Sequence, residues 1–110
     1  MKGRLAAVAT MGEPARSAAV TSMVRAEYKL EEEALHSVTA SWLRAWMDLH
    51  REDPRQATRG ANAYASVFGA APSNLAMRHA AVVQTVARQS LTDAEVDFLS
   101  HELPSLGPSR

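Results

Sequence analysis

At 110 residues, with twelve basic side chains balancing twelve acidic ones, the chain is sized for a single domain that buries roughly two-thirds of its unfolded surface. It has no cysteine, which excludes a disulfide framework and a thiolate zinc site, and no apolar run approaches the roughly 18 residues of a membrane span. Twenty-one alanines and no isoleucine leave few large side chains for a core, so self-association is expected.

Residues 1–12 have weak apolar character and contain Gly3 and Gly12, so they read as a loosely held arm or a short edge strand. Lys2 and Arg4 ahead of residues 5–9 resemble a very short signal peptide. The run is alanine-heavy and of minimal length, so a cytoplasmic protein is expected. Pro14 suits the first turn of a helix begun near Gly12 or Glu13, and Ala15, Ala18, Ala19, Met23 and Ala26 recur at helical spacing. Val20, Thr21, Ser22 and Val24 are mediocre helix formers, which places a joint near Ser22.

Residues 27–53 contain neither Gly nor Pro and hold both tryptophans. At 100° per residue, Ser37, Ser41, Arg44, Asp48 and Arg51 share one polar stripe, and Leu35, Val38, Trp42, Ala45, Trp46 and Leu49 lie opposite. His36, Leu43, Met47 and His50 widen the apolar arc, which then asks for more than one neighbour. This segment is expected to be the long central helix. Glu31, Glu32 and Glu33 read as a solvated acidic face near its start.

Asp53-Pro54 closes that helix and opens the next, because a residue before proline leaves the helical region while Asp caps and Pro occupies the first position. The new helix is expected over residues 54–68, with Ala57, Ala61, Tyr64, Ala65 and Phe68 inward, a weak point or close approach at Gly60, and an end at Gly69. After Pro72, Ser73 or Asn74 caps a helix reaching about Gln89, with Leu75, His79, Val82, Val83 and Val86 buried. Thr92 and Glu95 have capping-box spacing for a last helix over residues 93–103, which Pro104 stops. Residues 104–110 read as a tail.

The fold expected is therefore all-α: a four- or five-helix bundle around the helix of residues 27–53, with short connections. A flexible arm (1–12) precedes the single helical domain (13–103), and the tail (104–110) follows. Charge alternates along it, net +3 over residues 1–26, −4 over 27–53, +4 over 54–92 and −3 over 93–110. Such blocks can neutralise one another within the chain or between copies.

Few residues suggest chemistry. Glu33 and His36 have the Glu-x-x-His spacing of di-iron carboxylate bundles, but residues 54–92 supply no acidic partner, so no metal and no cofactor is expected. No nucleophile has a base and an orienting partner, and no glycine-rich phosphate loop is present, which argues against an enzyme. Trp42, Trp46 and His50 at i, i+4 and i+8 could line a ligand pocket; the stripe reads more readily as core or subunit interface. The candidate interface is Leu35, Val38, Trp42, Trp46 and Leu49.

Over residues 64–75, Ala65 lies four before Gly69, Phe68 just before it and Leu75 six after it. This spacing resembles the helix-turn-helix pattern, over about residues 61–80. The resemblance implies a DNA-binding transcriptional regulator using Arg55, Arg59, Ser73, Asn74, Arg78 and Arg88 in an acid-free segment. Against it, Arg78 stands where the motif buries an apolar residue, and Ala71, Pro72, Ala76, Met77 and Ala80 offer little to base edges. The primary expectation is a small non-enzymatic regulatory, adaptor or inhibitory protein that acts through protein contacts, as a homo-oligomer.

Overall fold

A computed structural model describes residues 1–103. Among them the fold is all-helical: α1 (Lys2–Thr10), α2 (Ala15–Glu27), α3 (Glu32–Glu52), α4 (Pro54–Ala70), α5 (Ser73–Ser90) and α6 (Asp93–Glu102). No helix is long and apolar enough to cross a membrane among these residues. The tail expected at residues 104–110 lies outside the described residues.

Local signals set several ends where the sequence places them. The Asp53 carboxylate accepts the Gln56 backbone N–H at 3.2 Å, with Pro54 in the first turn of α4. Thr92 and Glu95 close the capping box of α6, each side chain accepting the other's backbone N–H at 3.1 and 2.9 Å. Glu32 and Glu33 occupy the first turn of α3, and His50 and Arg51 the last, in the sense that complements its dipole.

Other expectations are corrected. The first ten residues are not an arm: α1 buries Leu5, Val8 and Ala9 and lies against α2, α3 and α4. Three apolar residues are enough once neighbouring helices supply a surface, because tertiary packing outweighs a short helix's poor intrinsic stability. The joint is at residues 28–31, not near Ser22. Val20 and Val24 are almost fully buried, and that burial holds α2 helical through its weakest formers. Valine carries more apolar surface than alanine, so Val20 and Val24 face inward while Ala15, Ala18 and Ala26 stay exposed.

The helix of α4 also runs past Gly69, which has no positive φ, and ends at Ala70. Pro72 is the stop: Ala71 before it is extended, with ψ of 160°. At Gly60, an added Cβ would meet the Leu5 side chain at 3.7 Å and its carbonyl oxygen at 3.8 Å, so this glycine marks where α1 crosses α4.

By backbone approach α4 lies against α1, α2, α3 and α5, and α3 against α1, α4 and α5. Two helices thus share the organising role expected of one. Trp46, His50 and Phe98 bring α6 onto α3, with ring centroids 5.1–6.2 Å apart. The Trp46 indole N–H donates to the Ala57 carbonyl at 2.8 Å, tying α3 to α4 inside the core.

The apolar interior divides in two. A larger cluster gathers Leu5, most of the buried face of α3, Ala57, Val82, Val83, Val86 and Leu99. A smaller one contains Val8, Val20, Val24, Ala63 and Phe68. Tyr28 and Tyr64 pack against both. The charge blocks meet within the chain: Lys2 pairs with Glu52, Arg78 with Glu32, and Arg44 approaches Glu95.

Candidate functional site

Between the two clusters lies a partly open cavity of about 380 Å³, within the size range of small-molecule sites. Trp42, Leu43 and Trp46 of α3 form one wall and Tyr64 and Phe68 of α4 another. Ala61, Ala65 and Gly69 of α4, Leu5 of α1, Val83 of α5 and Leu103 complete its apolar lining. The polar groups are few: Glu27 and Tyr28 at the α2–α3 corner, His79 on α5, Thr39 and the Tyr64 hydroxyl.

Each element brings its residue for a local reason. Glu27 is the last residue of α2 and Tyr28 its C-cap, so the helix end itself delivers both to the seam. Two side chains of α5 hold that corner through three contacts. The Tyr28 hydroxyl stands 2.6 Å from His79 Nδ1, the Arg78 guanidinium donates to the Tyr28 carbonyl at 3.2 Å, and the same guanidinium pairs with Glu32 at 2.8 Å. His79 also stacks flat on Phe68, with centroids 3.7 Å apart and planes at 8°.

Burial decides the protonation states here. It pushes His79 down to about 4, so the ring is neutral at pH 7. Burial, and then the Glu27 charge, pushes the Tyr28 phenol up to about 12. The Tyr28 hydroxyl and His79 Nδ1 therefore share a hydrogen bond between two uncharged groups. Tyr64 is raised for the same two reasons. Burial raises Glu27, opposed by the hydrogen bond from the Trp42 indole, which donates to Oε2 at 2.6 Å, and by the charge of Arg4.

The sequence-predicted sites are redistributed. Leu35, Trp46 and Leu49 of the candidate interface are buried inside the single chain, Val38 is half-buried, and Trp42 lines the cavity. The stripe is therefore largely the chain's own core. α1 and α6 pack onto α3 within the chain.

Of the candidate nucleic-acid residues, Arg55, Arg59, Arg88, Ser73 and Asn74 are exposed, whereas Arg78 is engaged with Glu32 and Tyr28. The corner over residues 61–80 also departs from the motif it resembles. Its glycine lies inside α4, and the connection is only Ala71 and Pro72, against the usual three or four residues. His36 pairs with Glu32 at 3.2 Å, and among the described residues no three His, Asp or Glu side chains are grouped to hold a metal.

Sequence reasoning missed Glu27, Tyr28, Tyr64 and His79 as a group. Tyr28 and His79 are 51 residues apart and Glu27 and Trp42 are 15 apart, so no motif spacing could join them. Only Glu27 and Tyr28 are neighbours in the sequence, and nothing in it joins that pair to Tyr64 or His79. The chain matches no protein-family model, no curated protein and no solved structure, so the geometry of this cavity carries the functional reading.

Proposed function

We propose that the protein is a small non-enzymatic binding protein whose cavity at the seam of its two clusters takes up a small, largely apolar molecule. The observation that carries this reading is the cavity itself, about 380 Å³, walled by Trp42, Tyr64 and Phe68 and opening among only a few polar groups. Its polar groups are arranged to orient rather than to react. Nδ1 of His79 is already engaged with the Tyr28 hydroxyl, and a ring held near 4 is a poor base at neutral pH. Glu27 is engaged by the Trp42 indole.

A regulatory role follows from the same geometry. The cavity touches every helix from α1 to α5, so an occupant that fills it couples elements that otherwise meet across a seam. Binding to the folded state alone raises stability by about 2.7 kcal/mol at a ligand concentration a hundred times Kd.

The test uses N-phenyl-1-naphthylamine, an uncharged apolar fluorophore. Saturable one-to-one binding with quenching of tryptophan emission is expected, and Ala61→Phe, which fills the cavity from α4, should abolish it while helicity and melting are retained. Binding that never saturates, or that persists in the filled variant, would remove the cavity from consideration as a ligand site.

A further inference from the structure

The cavity holds one carboxylic acid, Glu27, in a lining that is otherwise apolar, aromatic or neutral polar. Among the described residues its hydrogen-bond donor is the Trp42 indole, to Oε2. Among the described residues, the cations that form ion pairs take other partners: Lys2 takes Glu52, Arg16 takes Glu13, Arg44 approaches Glu95, Arg51 takes Asp48 and Arg78 takes Glu32. Arg4 on α1 acts on Glu27 only as a more distant charge. Position adds to the deficit. Glu27 ends α2, where the helix presents the negative pole of its dipole, so the backbone offers the carboxylate no compensation.

Beside this acid stand two electron-rich rings. Trp42 and Tyr64 have centroids 5.6 Å apart with planes inclined at 57°, and both face the cavity. Inclined rings of this kind form a corner whose faces attract a cation, and an ammonium group carrying alkyl substituents suits such a corner because it loses little hydration on entering. A half-buried carboxylate that forms no ion pair among the described residues, set against an aromatic corner, is complementary to one ligand charge.

We propose that the ligand of this cavity is an organic cation: an apolar body with an amine or quaternary ammonium head. The head sits on Glu27 against Trp42 and Tyr64, and the body lies along Phe68, Val83 and Leu5. The inference rests on the cavity being a ligand site and adds the charge class of its occupant.

Three probes with one body separate the two claims: 4-phenylbutylamine, 4-phenylbutan-1-ol and 4-phenylbutyrate, titrated at pH 7.5 into the full chain and followed by tryptophan emission and calorimetry. The amine is expected to bind at least about tenfold more tightly than the alcohol, and the carboxylate most weakly, since a tenfold ratio corresponds to about 1.4 kcal/mol. Glu27→Gln should bring amine and alcohol to equal affinity. Arg4→Ala, at an exposed position, should widen the amine's advantage by removing the competing charge.

If the alcohol binds as tightly as the amine, or Glu27→Gln keeps the tenfold preference, the cationic assignment is overturned while the cavity stands. Failure of all three probes together with N-phenyl-1-naphthylamine overturns both. Weaker amine binding in Arg4→Ala would also overturn the assignment, because it would mean that Arg4 supports the site rather than competing for Glu27.

Discussion

The two halves of the interior are built from different materials. The larger cluster has leucines, Trp46 and Met47 from α3, closed by α5 and α6 and sealed by the hydrogen bond from Trp46 to Ala57. The smaller cluster relies on three valines, Ala63 and Phe68, supplied by α1, α2 and α4. Large side chains interdigitate and leave little space between them; small ones on rigid helices cannot reach one another. In a chain with twenty-one alanines, the shortfall in volume collects at the seam between the clusters. Among the described residues Tyr28 and Tyr64 pack against both clusters, and their hydroxyls, with the neighbouring Glu27 and His79, give the resulting cavity its polar groups.

The largest effect is expected from Trp46→Ala. It removes the largest side chain of the larger cluster together with its hydrogen bond, and should cost about 3–5 kcal/mol. Because Trp46 is buried within one chain, melting of the variant should be independent of protein concentration. A melting temperature that rises with concentration would put the stripe between subunits after all.

Next in size is a pH effect at the seam. His79 titrates near 6.5 when unfolded and near 4 when folded, so between those values the unfolded chain holds a proton that the folded chain does not. The stability linked to the neutral ring is complete above about pH 6.5 and is lost as pH falls toward 4, up to about 3 kcal/mol. Glu27 runs the other way. Its raised value means that the folded chain takes up its proton first as pH falls, which offsets part of the loss in a window just above 4.5. Denaturant midpoints measured from pH 7 to pH 4 should fall in the native chain and fall less in His79→Gln. Equal slopes in the two would free His79 of the effect.

Within the smaller cluster, Val20→Ala should cost about 2 kcal/mol. Hydrogen exchange tests the contrast: α2 amides should lose protection in this variant while those of α3 keep theirs, since Val20 belongs to the smaller cluster and α3 supplies the larger one. Uniform loss along the chain would show that the clusters unfold as one. The smallest effect is a gain. At Gly60 an added methyl meets Leu5 at ordinary contact distance, so Gly60→Ala should raise stability by up to about 1 kcal/mol through helix propensity. A loss would mean that the crossing of α1 and α4 does not accommodate the added methyl.

Much of the secondary structure was legible because it depends on neighbours in sequence. Asp53 before Pro54, Thr92 with Glu95, and the apolar arc from Leu35 to Leu49 act over one or a few turns, and the observed helices respect all three. The α1 segment was not legible. Its few apolar residues become a helix only because α3 and α4 offer a surface to bury them. The same holds for α2, whose inward face was settled by Val20 and Val24 finding Phe68 and Ala63, not by the alanine spacing.

The sequence by itself determined an all-helical chain with most of its breaks, because capping, proline geometry and helical periodicity are short-range and need no knowledge of what packs where. Only the tertiary structure decided that the tryptophan stripe is largely covered by its own chain and that Glu27, Trp42, Tyr64 and His79 surround one cavity. Those outcomes depend on the volume and polarity that distant segments bring to a shared space. Burial shifts the protonation of His79 and Glu27 only after that space has formed.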